Sequence, residues 1–279
     1  MQYNLCMKEE DQNYTQYRIK IPAKYEDVFS HLYYAHNHSS ETVTKTLLPS
    51  YQTILIFCFN ASSYLHSKEG TKIKVDHCLM IGPVKRAFDY SLLPDAAILT
   101  VNFIDDAFYR FFGSSLIADH LPFDPDEILN EDCFNTLWGE LNQISDVNKK
   151  VQHILQFCDP YLLHRNQIAE QLSKFNDIHL NPIKSVALQH TQTERNIQIN
   201  HKKHFGYSCK ELSRYQRFLK AVNMVQEHIS SQTKTDWFQV IEQCGYYDQS
   251  QLIHDFRHYT NLTPTKYLKF QKEICNPIS

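Results

Sequence analysis

At 279 residues, with 42% hydrophobic and 21% charged side chains and only 6 glycines, the chain has the length of two ordinary domains and the composition of a folded protein, which excludes fibrous and disordered classes. No run approaches the roughly 18 apolar residues of a membrane helix, and the first residues, MQYNLCMKEEDQN, lack the apolar stretch of a signal peptide, so a cytoplasmic protein with no membrane partner is expected. The net charge of −3 is unevenly spread: residues 166–279 carry 14 Lys+Arg against 10 Asp+Glu, and the first 165 residues carry 14 against 21.

The eight cysteines, Cys6, Cys58, Cys78, Cys133, Cys158, Cys209, Cys244 and Cys275, share no C-x-x-C spacing and read as reduced and mostly buried. The first 105 residues have the pattern of strands. Residues 54–59 form an apolar run bounded by Pro49-Ser50 and Asn60-Ala61-Ser62-Ser63, residues 72–81 begin with alternation, and residues 87–92 and 96–103 flank the turn signal Leu93-Pro94-Asp95. Short strands at this spacing predict a barrel or sandwich. From Asp105 the periodicity becomes helical. Between residues 134 and 157, Leu137, Leu141, Ile144, Val151 and Leu155 recur at intervals of three and four, with Asn148 in the remaining slot. That stripe either packs on the strand domain or forms the seam of a homodimer.

The region from Asn166 onward is helical throughout. Ser208-Cys-Lys-Glu211 is a capping box, and Leu212, Tyr215, Leu219, Val222, Val225 and Ile229 mark the apolar face of a helix of about 20 residues, roughly 30 Å long. Sliding the chain by 55 positions superimposes two segments: Ile183, Val186 and Ile197 fall on Phe238, Ile241 and Leu252, Gly206 on Asn261, and Ser208 on Thr263. Lys202, Arg214, Gln216 and Arg217 fall on Arg257, Lys269, Gln271 and Lys272. The repeat predicts two helix-turn-helix units. In the second, Asp236 caps one helix, Gly245 makes the turn, Asp248 caps the next with Gln251 three residues on, and Leu252, Phe256 and Tyr259 face the core.

Polar and basic side chains at the start of the second helix of each unit suit a DNA major groove, where Arg, Asn and Gln pair with base edges while Ser, Thr and Lys hold phosphate. Arg195, Asn196 and Gln198 in one unit and Gln249, Gln251 and His254 in the other are the candidate base contacts. Thr193, Ser250, Lys202, Lys203 and Arg257 are the candidate phosphate contacts. The basic window 195–220, with Arg195, Lys202, Lys203, Lys210, Arg214, Arg217 and Lys220 against Glu211 alone, agrees with a polyanionic partner, although a solvated helix face has the same composition. A connecting helix of roughly 30 Å would space the two units by about one DNA turn, so that one chain reads two successive grooves.

Gly245-Tyr-Tyr-Asp-Gln-Ser-Gln-Leu-Ile-His-Asp-Phe-Arg, followed by Leu262-Thr-Pro-Thr-Lys-Tyr267, resembles the signature of the AraC/XylS family of bacterial transcription regulators, and the resemblance extends over residues 166–272. More weakly, Leu48-Pro-Ser50, Gly82-Pro83 and Ala107-Phe-Tyr-Arg-Phe-Phe-Gly113 are similar to a small barrel-like domain found ahead of such modules. The resemblance implies sequence-specific binding to promoter DNA, activation through RNA polymerase, and a cupin-like effector-binding or dimerisation domain in front. The first unit departs from the family pattern at His201, where Phe is usual, at Ile199, where Arg is common, and at Cys209, where Pro is usual; His201 in a small core needs a partner.

His36-Asn-His38 is similar to the H-x-H of metal-binding cupins but lacks a clear continuation, and His66 and His77 have no arrangement that identifies a catalytic base. A DNA-repair methyl acceptor would need a cysteine cluster where Cys6 stands alone. The expectation is therefore an α+β protein that is not an enzyme, with no metal or other cofactor: a β-rich sensing or dimerisation domain at residues 1–133, a linker helix at 134–165 and an all-α DNA-binding domain with two helix-turn-helix units at 166–279. Its expected partners are promoter DNA, RNA polymerase, a small-molecule effector of unknown identity and a second copy of itself. The competing readings are a regulatory or interaction protein that keeps the fold without reading DNA, and a cupin-type metalloenzyme.

Overall fold

The computed structural model describes residues 9–11, 13–66, 70–113, 122–129, 131–175, 180–231 and 233–275. Cys6 and the side chains of Lys272 and Cys275 lie outside them. The chain divides into two compact units, one of Met1–Val84 and Phe88–Tyr207, the other of Lys85–Ala87 and Ser208–Ser279. The division falls within the helical region, after the first helix-turn-helix.

In the first unit, β1 (Glu9–Asp11), β2 (Tyr14–Ile19), β3 (Phe29–Asn37), β4 (Val43–Leu47), β5 (Thr53–Phe59), β6 (Ser63–His66), β7 (Lys72–Val75), β8 (Cys78–Ile81), β9 (Phe88–Leu92) and β10 (Ala97–Phe103) build two antiparallel sheets. Their orders are β1-β2-β3-β10-β5-β8 and β4-β9-β6-β7. The central pair β5 and β10 is buried on both faces. Ile54, Ile56 and Ile98 point into a core shared with Leu65, Val75 and Leu92 of the smaller sheet. Leu55, Phe57, Leu99, Val101 and Phe103 point into a second core on the other face. Burial on both sides is why these strands read as continuous apolar runs. The predicted turns are present: Asn60 and Asp95 both take left-handed backbone, φ 67° and 65°. Residues 72–81 are not one strand. They cross from the smaller sheet (β7) to the larger (β8) at Asp76-His77, where Asp76 accepts a 2.6 Å hydrogen bond from the Ser62 hydroxyl.

The second core is closed by α1 (Ala107–Phe112), α3 (Cys133–Asn142) and α4 (Val147–Cys158), with the short α2 (Pro125–Leu129) before α3. The stretch expected to be a single linker helix is thus two. Asp126 accepts hydrogen bonds from the Phe134 and Asn135 amides at the start of α3, and Asp146 accepts one from the Lys149 amide to begin α4. Leu137, Leu141, Val151 and Leu155 are buried in the core of their own unit. Of the two uses open to this stripe, packing on the strand domain is the one formed; a helix packed on a sheet needs the same apolar stripe as a helix packed on its twin.

α5 (Gln167–Ser173), α6 (Pro182–Gln189) and α7 (Glu194–Phe205) complete the first unit. The second contains α8 (Cys209–Ser230), α9 (Trp237–Cys244), α10 (Gln249–Thr260) and α11 (Pro264–Cys275). The 55-residue offset carries the bounds of α6 onto α9 and those of α7 onto α10 residue for residue, and the start of α8 onto that of α11. The Ser208–Glu211 capping box is formed on both sides. α8 buries Tyr215, Phe218, Ala221, Val222 and Val225. Phe218 packs on Tyr259 with the rings tilted by 34° (4.6 Å between centroids) and meets Phe256 edge-on (5.1 Å). Among the described residues no helix is long and apolar enough to cross a membrane.

Candidate nucleic-acid interface

Each recognition helix begins on a side-chain cap. Thr193 accepts a hydrogen bond from the Asn196 amide (3.3 Å), and Asp248 accepts one from the Gln251 amide (2.8 Å). Gly206 and Asn261 end the two helices in the left-handed conformation expected of a C-cap. Ile197, His201 and Phe205 anchor α7, and Leu252, Phe256 and Tyr259 anchor α10. With these faces buried, Thr193, Arg195, Asn196, Gln198, Lys202 and Lys203 are exposed on the first helix, and Gln249, Ser250, His254 and Arg257 on the second.

Residues four and three apart fall on one helical stripe. On α10 that stripe is Ser250, His254 and Arg257, and the offset carries it onto Arg195, Ile199 and Lys202 of α7. Ile199, which the sequence marked only as a departure, is 57% exposed at the centre of this row. His254 Nδ1 lies 2.9 Å from a guanidinium nitrogen of Arg214. An arginine only donates, so Nδ1 accepts and the neutral ring carries its proton on Nε2, which makes His254 a donor toward solvent. Gln251 differs from its neighbours: it is partly buried, and its Oε1 accepts from the Tyr247 amide (2.9 Å), so its carbonyl braces the helix start and leaves the amide NH2 for a ligand.

Part of the basic window is committed to the fold. Arg214 Nε donates to Asp255 Oδ1 (2.7 Å), an Arg217 terminal nitrogen lies 3.4 Å from Asp255 Oδ2, and Lys220 donates to the Gln243 carbonyl. Asp255 is 1% exposed, so these arginines neutralise a buried carboxylate on α10 and tie that helix to α8. Lys203 Nζ lies 5.5 Å from the ring centre of Tyr109. The partner that His201 requires is the Tyr207 carbonyl, 2.8 Å from Nδ1, and its ring stacks on Phe205 at 4.4 Å.

Two features had no clear signal in the sequence. Phe238 and Tyr247 are 82% and 92% exposed beside the start of α10, although the repeat aligns Phe238 with the buried Ile183. Next to them, Lys234, Trp237, Phe238, Ile241 and Gln249 line a groove of about 420 Å³. In the strand domain, His36 Nε2 lies 3.1 Å from Asp95 Oδ1 and His38 Nε2 lies 3.0 Å from Thr15 Oγ1. Among the described residues no group of three or more His, Cys, Asp or Glu side chains is placed to hold a metal ion.

Residues 228–269 match the family model of bacterial regulatory helix-turn-helix proteins, AraC family. No curated protein matches the chain by sequence. Among solved structures, ToxT from Vibrio cholerae O395 aligns over 93% of this chain and 98% of its own at 12% identity and a TM-score of 0.39. Unsaturated fatty acid bound wild-type ToxT from Vibrio cholerae strain SCE256 aligns over 94% and 97% at 10% identity and 0.38. Ectoine synthase from P. lautus aligns over 34% of this chain and 67% of its own at 8% identity and 0.27. At these levels of similarity neither the ligands nor the activities of those proteins transfer to this chain. The family match points to a regulator rather than an enzyme, and it spans α9, α10 and the turns that join them: this segment is an AraC-family helix-turn-helix, and the chain that carries it is a DNA-binding transcriptional regulator.

Proposed function

We propose that α7 and α10 each enter a major groove of promoter DNA and that one chain reads two successive grooves. The observation that carries this reading is the 55-residue repeat, which reproduces both helix-turn-helix units to the residue and leaves exposed polar and basic side chains on each recognition helix. The 22-residue α8 lies between them in sequence and is about 33 Å long, close to the roughly 34 Å of one DNA turn. Arg195, Asn196 and Gln198 on α7, and Gln249, His254 and the amide of Gln251 on α10, contact base edges; Ile199 offers an apolar surface to a thymine methyl. Thr193, Ser250, Lys202, Lys203 and Arg257 hold phosphates. The strand-rich domain takes a small-molecule effector or a second copy of the chain, and the DNA-bound protein activates transcription through RNA polymerase in the cytoplasm.

Selection of bound fragments from genomic DNA tests the central claim. It should return paired half-sites about 10–10.5 bp apart, centre to centre. Arg195→Ala should cost roughly 1–3 kcal/mol and relax preference at one position, whereas Lys203→Ala should weaken all sites alike and reduce the salt slope by about one. Binding with no salt-sensitive preference for any fragment would end this reading. Sedimentation and a reconstituted transcription assay test the dimer and the sign of regulation.

A further inference from the structure

Three buried polar atoms without a partner lie on two neighbouring groups of residues in the first unit: Oδ2 of Asp106, Nε of Arg165 and Nδ1 of His204. Asp106 precedes α1 and is fully buried. Its Oδ1 is 2.7 Å from a terminal nitrogen of Arg165, which also lies 3.4 Å from Asp105 Oδ2, so one guanidinium serves two carboxylates. His204 belongs to the last turn of α7, where its ring meets the Tyr109 ring of α1 at 4.2 Å and Lys203 Nζ lies 5.5 Å from the centre of the same ring. Buried polar groups are nearly always paired in native structures, and a concentration of exceptions marks a contact that is costly to keep closed. Here it falls where α1 touches the recognition helix of the first helix-turn-helix.

We propose that Asp106 at the start of α1, Tyr109 on α1 and His204 on α7 form an acid-sensitive clamp, which holds the last turn of α7, with Lys203, against α1 and opens when His204 is protonated. The proposal rests on the reading of α7 as a recognition helix only for its effect on DNA. Burial holds the His204 imidazole below its ordinary value of 6.5, the Asp106 carboxylate acts the other way, and Lys203 adds to the depression. The ionisable groups facing the ring are Asp106 at the start of α1, Tyr109 on α1 and Lys203 on α7. Arg165 pairs with Asp106 and with Asp105, while Glu170 of α5 and Lys184 of α6, on the other helices packed against α7, are not among the charges that shift the ring. A ring that binds its proton less tightly in the closed contact than in water is protonated by opening. The clamp is therefore closed near neutral pH, and each unit of acidification below 6.5 favours the open form by up to about tenfold until the closed-state value is passed.

Hydrogen exchange of the full chain at about pH 7.5 and about pH 5.5, corrected for intrinsic rates, reads the clamp directly in peptides covering residues 105–112 and 200–205. In the wild type, protection of residues 200–205 should fall by up to about tenfold at the lower pH; in His204→Gln it should not change with pH, and in Tyr109→Ala it should be low at both. Asp106→Asn should widen the pH range of opening, since it removes the anion that opposes the depression. Pulling the other way, wild-type protection that ignores pH, or the same pH dependence in His204→Gln, overturns the proposal, as does a His204 ring that titrates at or above its ordinary value by NMR. Binding to a mixed-sequence duplex of about 40 bp is measured in parallel. A wild type that binds no duplex at either pH would sink the DNA reading while leaving the exchange result to decide the clamp.

Discussion

Removing the Asp255 carboxylate is the most direct test of how α10 is held. Asp255 is almost completely buried and receives Arg214 at 2.7 Å and Arg217 at 3.4 Å, both from α8. Deleting one partner of a buried ion pair costs about 3–5 kcal/mol, because the charge left behind has lost its counter-ion. Here the arginine side chains remain 32% and 26% exposed and can take up water, which places Asp255→Ala at the lower end, about 3 kcal/mol. Asp255→Asn keeps an acceptor for Arg214 Nε and should lose about half of that. With domain stabilities of about 5–15 kcal/mol, the alanine variant should remain folded in the cold and lose DNA affinity as temperature rises. Urea unfolding followed through Trp237 fluorescence, in a Trp138→Phe background that leaves one tryptophan in each molecule, measures the loss. A shift below about 1 kcal/mol at unchanged m-value, or no coupling in a double-mutant cycle with Arg214→Ala, would show that the pair does not secure the helix.

His201→Ala should destabilise the first unit by about 2–4 kcal/mol, whereas His201→Phe, which keeps the stack on Phe205 and loses the bond to the Tyr207 carbonyl, should stay within about 1 kcal/mol, as read by urea unfolding followed through Trp138 of the same unit in a Trp237→Phe background. Lys150 is buried on α4, donates to the Leu141 carbonyl and lies 3.8 Å from the Phe59 ring centre, and burial pushes its ammonium down to about 8. The unfolded chain then binds more protons between about pH 8 and 10.5, so the stability of this unit should rise through that window, by at most about 3 kcal/mol and less where water reaches Nζ; Lys150→Met should remove the rise. At Gly82, φ is 147° and an added Cβ would sit 2.5 Å from the Thr53 backbone. Gly82→Ala should therefore cost about 2 kcal/mol or more, read as a lowered urea midpoint.

The local chemistry of the helical region was legible residue by residue. Ser208, Asp236 and Asp248 each cap the helix that follows, and Gly206, Gly245 and Asn261 take left-handed backbone, because caps and turns depend on side chains within three or four residues; the Thr193 cap of α7, read in the sequence only as a phosphate contact, follows the same rule. The repeat was legible for the same reason, and with it the residues that α7 and α10 expose. In the strand domain only runs with a strong pattern could be located. β5 and β10 stood out because they are buried on both faces, while β2, β3, β4 and β6, with mixed and partly exposed side chains, did not.

Tertiary structure decided which of two equivalent uses each pattern served. The stripe through Leu137, Leu141, Val151 and Leu155 satisfies a sheet as well as a second helix, and only the position of the larger sheet settles it. Residues 72–81 alternate like one strand, and only the packing of two sheets divides them. Arg214 and Arg217 looked free for a polyanion until the fold brought Asp255, about 40 positions away, against them. Ile183 and Phe238 occupy the same place in the repeat, yet one is buried and the other 82% exposed. Amino-acid sequence alone determined the caps, the turns and the two recognition helices, since these are set by short-range hydrogen bonds and periodicity; partners distant in the chain were chosen only when the cores closed.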